Sequence, residues 1–267
     1  MLVRIVSGVI SAAVLICILL AGETAVKIAV AAVSVIALFE MYRSVKAVKK
    51  PYMLLPGMIA ALILPFLEGN YSLIFLIIVL YTIVMLTAML FHHETVTVED
   101  TAKIYFLTLY LTLFTSCLAY IRSMDGGKYL IWVVLIGAFA SDIFAYFTGV
   151  FIGRHKLCPK ISPKKTIEGA IGGIVGTALC FVIYGVVLSK VFSFDVSYPM
   201  LVILGIISAV ISQLGDLTAS VIKRQYGIKD YGKLIPGHGG IMDRCDSLIF
   251  VAPAVYLSLI FIGNILY

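Results

Sequence analysis

The chain has 267 residues, of which 62% are hydrophobic and 13% charged, and its mean hydropathy is +1.11. Soluble domains average about 45–50% apolar and about 25% charged residues, so this composition excludes a soluble enzyme. The formal net charge is +6, and in so apolar a chain the placement of its 20 Lys and Arg residues reports membrane orientation.

Nine apolar runs follow one another along the chain. A bilayer crossing needs about 20 apolar residues, and the pattern predicts spans at about 2–21, 25–45, 52–67, 71–91, 104–121, 129–152, 169–189, 199–222 and 247–266. The first run has features of a signal peptide, but another apolar run follows at once without a clear cleavage site, so we interpret it as a span. The third run is short and contains Pro56 and Pro65, which suit a kinked or re-entrant segment and leave the count open. The predicted fold class is an all-α polytopic integral membrane protein with about nine transmembrane helices.

The basic residues indicate how these spans are oriented. With the N-terminus in the cytoplasm, 16 of the 20 Lys and Arg residues lie on the cytoplasmic side and four on the other. This bias predicts a cytoplasmic N-terminus and, for nine spans, a C-terminus outside. Ten of the 16 lie in two loops, residues 153–168 and 223–246. We therefore divide the chain into N-terminal helices (1–122, about five spans) and a C-terminal catalytic region (123–267) with both cytoplasmic loops.

Two carboxylates interrupt the apolar runs of the C-terminal region. Asp142 lies in GAFASDIFAYFTG and Asp216 in AVISQLGDLTASVIKR. A carboxylate at membrane depth costs several kcal/mol and normally marks an ion site, a proton path or a bound substrate. The alternative is a carboxylate near the cytoplasmic helix end that reaches a basic residue, and Lys223 and Arg224 lie two turns beyond Asp216.

A further pair of acids, Asp243 and Asp246 in MDRCDS, opens the last predicted span. Positions i and i+3 of a helix share one face, with about 5–6 Å between their Cβ atoms, so the two carboxylates can hold one hard cation. Carboxylate oxygens suit Mg²⁺, which keeps waters and completes its shell with substrate phosphates. The alternative is that acids in a first turn only offset the helix dipole. Because Asp216 of the preceding span can converge on the pair, the three acids predict a metal site.

The run PGHGG, residues 236–240, directly precedes these acids. Its glycines allow backbone N–H groups to approach an anion at a helix N-terminus, which predicts a phosphate cradle. His238 is a candidate ligand, acid, base or hydrogen-bond donor. The alternative is a glycine-rich turn that only leads into the helix.

The run SPKKT in the other loop predicts the start of a helix. Ser162 would be the N-cap and Pro163 the first helical residue, followed by Lys164 and Lys165. Lysines in a first turn oppose the helix dipole, and a bound anion would offset that cost. The alternative is a basic cluster attracted to anionic lipids.

Clustered carboxylates for Mg²⁺ and many cations for phosphate, facing the cytoplasm, fit phosphoryl or nucleotidyl transfer. The alternative from another class is a cation-coupled transporter that binds its ion at Asp142 and Asp216. A transporter predicts an internal repeat, and the sequence shows only a loose likeness of two acid-bearing spans that each lead into a basic loop. It also leaves the second loop without a role.

Two segments resemble a known family. The stretch SVIKRQYGIKDYGKLIPGHGGIMDRCD, residues 220–246, closely resembles the signature of the phosphatidate cytidylyltransferases, also called CDP-diacylglycerol synthases. The stretch SDIFAYFTGVFIGRHKLCPKISPKKTIEGAIGG, residues 141–173, is similar to the family's other well-marked region. The N-terminal half offers similar hydropathy only. Cys245 stands where the family usually has an aliphatic residue, a small apolar change that leaves the assigned roles intact.

The resemblance implies an enzyme that transfers CMP from CTP to phosphatidate, giving CDP-diacylglycerol and pyrophosphate for phospholipid synthesis. The lipid phosphate would attack the α-phosphorus of CTP, with Mg²⁺ neutralising the triphosphate. By position, the family's catalytic metal-site acids match Asp216, Asp243 and Asp246, with Asp142 a further candidate. The matching catalytic cations are Lys223 and Arg244, and the matching substrate-binding residues are Ser162, Lys164, Lys165, Thr166, Arg224, Lys229, His238, Gly239 and Gly240.

The resemblance also implies a multi-pass protein of the bacterial inner membrane whose active site faces the cytoplasm. Its substrates would be CTP or dCTP and phosphatidate, with membrane lipids around it and no nucleic-acid partner. A second cation beside Mg²⁺ is feasible where three or four carboxylates meet, and its identity stays open. A homodimer is a candidate assembly, because small oligomers are commonly two-fold dimers.

Overall fold

The structure, a computed structural model, describes residues 2–47 and 50–263, and this part of the chain is nearly all helical. It contains nine α-helices: α1 (Leu2–Leu20), α2 (Glu23–Ser44), α3 (Pro51–Ile63), α4 (Tyr71–Phe91), α5 (Val98–Ser123), α6 (Gly127–Phe151), α7 (Ile167–Phe192), α8 (Tyr198–Gln225) and α9 (Met242–Ile262). A 3₁₀ turn (Leu64–Phe66) continues α3. An antiparallel hairpin of β1 (Lys156–Cys158) and β2 (Ser162–Thr166) separates α6 from α7. Each predicted span overlaps one helix, with ends that differ by up to six residues, and residues 264–266 of the last predicted span lie outside the described residues.

Seven helices within residues 2–47 and 50–263 are long and apolar enough to cross a membrane, namely α2 and α4 to α9. A helix satisfies its backbone polar groups internally, which lipid requires of any spanning segment. The predicted all-α class is therefore confirmed, with the small hairpin as an addition, and seven helices are candidate membrane spans. The described part of α1, and α3 with its proline-containing 3₁₀ turn, are shorter apolar segments. Nine crossings and the orientation of the termini stay predictions.

The segment SPKKT is a strand, so the predicted helix start at Ser162 is wrong. Helix α7 begins four residues later than that prediction, where the Thr166 Oγ1 accepts a hydrogen bond from the Gly169 N–H at 3.1 Å. Both Ser162 and Thr166 are suitable N-caps by residue type. Capping at Thr166 keeps both lysines of SPKKT out of the first turn, where they would oppose the dipole, and places Glu168 there instead.

Contacts along the chain divide it into two compact units. The first contains the residues up to Met124 together with Tyr226–Arg244, and the second contains Asp125–Gln225 with the residues from Cys245 onward. The segment between α8 and α9, residues 226–241, is called the α8–α9 loop below. This loop and the first three residues of α9 belong to the first unit.

Hydroxyl groups join the helices inside the first unit. Thr108 on α5 accepts a hydrogen bond from the Tyr81 hydroxyl of α4 at 2.8 Å and shares one with the Tyr42 hydroxyl of α2 at 2.5 Å. Helix α3 approaches the same point at Gly57, where a Cβ atom would collide with Tyr42 and Thr108. Hydrogen bonds of this kind hold helices together where apolar surface alone gives no preference over lipid.

Small residues let α6 and α7 pack closely in the second unit. A side chain at Gly172 would collide with Thr148, and one at Gly176 would collide with Phe144. Close approach of backbones at small residues is a common basis of helix packing in membranes. Because the hairpin connects these two helices, their packing fixes the position of SPKKT.

Candidate functional site

A cavity of about 500 Å³ opens in the second unit beside the hairpin. Cavities of about 300–1,000 Å³ suit small ligands and cofactors. Its wall contains these polar or charged side chains: Asp142, Tyr146, Lys156, Lys164, Lys165, Thr166, Gln213 and Asp216. The structure therefore brings five predicted site residues to one cavity and adds Lys156, Tyr146 and Gln213, which the sequence pattern does not single out.

The cavity contains an ion pair between the hairpin and α8. The Lys165 ammonium contacts Asp216 Oδ2, and the two side chains are 25% and 27% exposed. The Ser220 hydroxyl, one turn further along α8, lies 3.5 Å from Asp216 Oδ1 and donates to it. Lys164, the neighbouring residue in β2, is exposed. The extended conformation of SPKKT thus directs one lysine to Asp216 and leaves the other accessible to an anion.

Ser247 connects two further acids of the second unit. Its hydroxyl donates to Asp142 Oδ2 at 3.3 Å, and its backbone N–H donates to Asp246 Oδ1 at 2.9 Å. Asp246 is 9% exposed, and its carboxylate is repelled by those of Asp216 and Asp142 and attracted by the Lys223 ammonium. Three predicted acids and one predicted cation therefore act on one another within this unit.

These acids suit a hard divalent cation by their chemistry. Carboxylate oxygens are the ligands that Mg²⁺ prefers, and acids that repel one another gain from a shared positive charge. In the part of the chain that the structure describes, no three His, Cys, Asp or Glu side chains converge on a common metal position. That Asp142, Asp216 and Asp246 hold one metal ion therefore stays a prediction.

The α8–α9 loop forms a second concave surface, of about 700 Å³, in the first unit. Its basic side chains are Lys229, Lys233, His238 and Arg244. Gly237 and Gly239 have φ angles of 77° and 90°, which L side chains rarely adopt. The Ile235 N–H donates to the Gly239 carbonyl at 2.8 Å, and the His238 N–H donates to the Ile235 carbonyl at 2.9 Å. PGHGG is therefore a closed turn, and the charged side chains around it are basic apart from Asp230.

A serine of α1 holds the ring of His238. The Ser7 hydroxyl donates to the Pro236 carbonyl at 3.0 Å and lies 2.8 Å from His238 Nδ1. The contact orients the His238 ring through Nδ1, and the tautomer determines which of the two groups donates. Arg244 Nε donates to the His238 carbonyl at 2.9 Å.

Asp243 holds the α8–α9 loop together. Its Oδ2 accepts hydrogen bonds from the Tyr231 N–H at 2.8 Å and the Gly240 N–H at 3.0 Å, and the residue is 8% exposed. Asp243 and Gly240, predicted as metal ligand and phosphate contact, therefore contact each other here. That Asp243 also binds a metal stays a prediction.

Glu40 of α2 is a site residue that the sequence pattern did not single out. Its Oε2 accepts a hydrogen bond from the Met242 N–H at 2.9 Å, and the side chain lies in the interior of the first unit, 7% exposed. A signal was available, because Glu40 is an acid within a predicted span, as Asp142 and Asp216 are.

Two predicted substrate-binding residues of the second unit lie outside its cavity wall. Ser162 pairs with Cys158 across the hairpin, at the end of β2 away from α7. Arg224 Nε donates to the Ile161 carbonyl at 3.3 Å, so this guanidinium supports the hairpin.

Comparison with known proteins gives the same family over nearly the whole chain. The model of the cytidylyltransferase family matches residues 2–262. The chain is 33% identical to the phosphatidate cytidylyltransferase of Bacillus subtilis in an alignment of 267 positions that covers 96% of each chain. It is 42% identical to the enzyme of that name from Staphylococcus haemolyticus over 141 residues, 53% of this chain and 52% of the relative. It is 39% identical to the phosphatidate cytidylyltransferase of Thermotoga maritima over 150 residues, 56% of this chain and 55% of the relative.

Proposed function

The chain belongs to the cytidylyltransferase family, and from this membership we propose how its residues transfer CMP from CTP to phosphatidate. The activity is the CTP-dependent synthesis of CDP-diacylglycerol, with pyrophosphate as the second product. The main support is the similarity to the Bacillus subtilis relative, which extends over 96% of both chains. The ion-transport hypothesis has no support, because the relatives described above are cytidylyltransferases.

The reaction joins two polyanions, and cationic side chains are what it chiefly needs. A phosphate oxygen of phosphatidate attacks the α-phosphorus of CTP, the bond to the bridging oxygen breaks, and pyrophosphate leaves with that electron pair. Catalysis of such transfers is mainly positioning and charge neutralisation. In the second unit, Lys156, Lys164 and Lys165 supply positive charge to the cavity wall. Lys165 exchanges Asp216 for a phosphate oxygen when substrate binds, and Lys223 adds charge beside Asp246.

Asp216 and Asp246, with Asp142 beside them, would hold Mg²⁺. Magnesium, when bound, neutralises the charge of the triphosphate and of the leaving pyrophosphate. Support comes from the chemistry of the donors and from the mutual repulsion of the three acids. Asp243 is a further proposed ligand, from its spacing of three residues before Asp246.

The α8–α9 loop provides a second group of cations for an anionic substrate. Lys229, Lys233 and Arg244 surround the closed turn of the first unit, and His238 presents its ring there. The Arg244 guanidinium is fixed by the His238 carbonyl through Nε, so its remaining N–H groups can donate to phosphate. This arrangement suits a phosphate better than an uncharged ligand.

We place the site at the cytoplasmic side of a bacterial inner membrane. Support comes from the excess of Lys and Arg in the two loops and from the bacterial relatives. Phosphatidate keeps its acyl chains in the bilayer, so its phosphate lies at the interface, whereas CTP comes from water. A site at the cytoplasmic ends of the helices is accessible to both substrates. A homodimer is the proposed assembly.

The direct test uses the purified protein in detergent micelles with phosphatidate, α-labelled CTP and Mg²⁺. Label should pass into a chloroform-soluble product, and EDTA should prevent the transfer, with excess Mg²⁺ restoring it. Labelled lipid that forms equally well in EDTA would contradict the magnesium proposal alone. No labelled lipid under any of these conditions would contradict the proposed reaction.

A further inference from the structure

Glu40 is a buried acid near the C-terminal end of α2. It lies in the second-to-last turn of this helix, toward the negative end of the dipole, and the residue is 7% exposed. A buried carboxylate needs hydrogen bonds or a positive charge to offset the loss of water. Some other feature of the first unit must therefore stabilise this carboxylate.

The start of α9 supplies that stabilisation. Glu40 Oε2 accepts a hydrogen bond from the Met242 N–H at 2.9 Å, across 202 residues of sequence. Met242 is the first residue of α9, and its N–H is one of the groups that a helix N-terminus leaves without an intrahelical acceptor. A carboxylate there also benefits from the positive end of the dipole. Glu40 thus acts as a cap contributed by another helix.

The same carboxylate lies between two backbone segments of the α8–α9 loop. A Cβ atom at Gly232 would collide with Glu40 Oε1, and one at Gly240 would collide with both carboxylate oxygens. The Cβ of a side chain at Gly232 would also come within 3.1 Å of the Gly240 Cα. Both glycines are therefore packed against Glu40, which holds the middle and the end of the loop at a fixed distance.

We propose that Glu40 is a positioning residue of the active site. Glu40 holds segment 232–242 in place by a charge-assisted hydrogen bond from the Met242 N–H. Asp243 holds the same part of the loop by accepting hydrogen bonds from the Tyr231 and Gly240 N–H groups. Lys233 and His238 of the cationic surface lie on this segment, and Arg244 follows it by two residues. Glu40 acts through the backbone and touches no substrate.

Hydrogen exchange of wild type, Glu40→Ala and Glu40→Gln tests the positioning directly. In Glu40→Ala, amides of peptides within residues 226–244 should exchange at least about tenfold faster, because a charge-assisted bond and its packing are lost. Glu40→Gln keeps an acceptor oxygen for the Met242 N–H but loses the charge, so its exchange should lie closer to wild type than to Glu40→Ala. The matched control is Glu23→Gln, an acid at the other end of α2 that pairs with Lys27.

Kinetics give the second measurement, and this part rests on the proposed function. Glu40→Ala should lower kcat/KM for CDP-diacylglycerol synthesis by about 10- to 100-fold, as expected for misplaced binding groups. Glu40→Gln should recover most of that loss, and Glu23→Gln should match wild type. If the wild-type protein made no labelled lipid, the proposed function would fail while hydrogen exchange would still decide on Glu40.

Two results would overturn the proposal. One is a Glu40→Ala protein with wild-type exchange in residues 226–244. The other is a Glu40→Gln protein with wild-type exchange but no activity, which would mean that the carboxylate takes part in the chemistry. If Glu40→Ala does not fold, Gly240→Ala decides, because its Cβ would push against the carboxylate and should accelerate exchange in the same peptides.

Discussion

Asp243 and Asp246 have different surroundings although they lie three residues apart on one helix. Asp243 Oδ2 accepts hydrogen bonds from two backbone N–H groups of the first unit. The Asp246 carboxylate instead interacts with the charges of Asp216, Asp142 and Lys223. A carboxylate oxygen that accepts two N–H groups is already stabilised, and one that faces other acids gains most from a cation. The two acids should therefore respond differently to the loss of charge.

Replacing Asp246 by Asn should abolish activity and leave the protein folded. Asn has nearly the same size but lacks the charge, and the loss of several kcal/mol of charge stabilisation corresponds to about 10²–10³-fold in rate. The measurement is CMP transfer at saturating Mg²⁺, with thermal unfolding in detergent to verify the fold. Asp195→Asn, between α7 and α8, is the matched control. Wild-type activity in Asp246→Asn would exclude Asp246 as a metal ligand.

Two substitutions of Asp243 should distinguish its contribution to stability from its contribution to activity. Asp243→Ala leaves two buried N–H groups without their acceptor, at about 1–3 kcal/mol each, whereas Asp243→Asn keeps an acceptor oxygen. In thermal unfolding, Asp243→Asn should therefore be close to wild type and Asp243→Ala well below it. Both should be inactive if Asp243 also binds the metal. An active Asp243→Asn protein would restrict Asp243 to its role in the loop.

At this scale the sequence predicts which residues are chemically unusual, but their partners depend on the fold. Acids within apolar runs identify Asp142 and Asp216, because lipid makes such residues costly. The same rule applies to Glu40, whose partner is 202 residues away and has no side-chain signal, since Met242 contributes its backbone N–H. No local pattern reveals that contact.

The hairpin and the start of α7 show why the predicted start of a helix differs from the observed one. SPKKT contains two candidate N-caps four residues apart, and the sequence rule for caps does not choose between them. The structure uses Thr166, and the Glu168 carboxylate accepts hydrogen bonds from the backbone N–H groups of Arg154 and His155 at 3.0 and 3.2 Å. These bonds tie the start of α7 to the start of the hairpin, and Lys164 and Lys165 remain on a strand.

Thr166 was predicted as a substrate contact, and its hydroxyl is now also a cap. Thr166→Val has the same shape without the hydroxyl, so it should lower the free energy of unfolding by about 1 kcal/mol, whereas Thr166→Ser should not. Thermal unfolding in detergent measures this. Equal stability of Thr166→Val and wild type would show that the cap contributes nothing and would favour a role in binding alone.

For the whole molecule, hydropathy predicts the helices well because bilayer thickness fixes the length of an apolar segment. It does not predict the two compact units. The α8–α9 loop follows the eighth helix in sequence but belongs with the N-terminal helices, through Ser7, Glu40 and their hydrogen bonds. The N-terminal half, for which the sequence offered hydropathy only, therefore supplies support for the most recognisable motif.

The predicted orientation is tested by labelling from each side of the membrane. In a variant with the five native cysteines replaced by alanine, a new cysteine at Lys160→Cys should react with an impermeant maleimide only after the cells are opened. The matched variant Asp195→Cys should react in intact spheroplasts, because its loop is predicted to lie outside. The reverse pattern would invert the topology.

The bond between Glu40 and Met242 also sets a time during biosynthesis. Chains are made at about 5–20 residues per second, so roughly 10–40 s separate the two residues as they leave the ribosome. During that interval the Glu40 carboxylate has been made but lacks the amide that donates to it. The hydrogen bond that stabilises the buried Glu40 carboxylate can therefore form only after the start of α9 has been made.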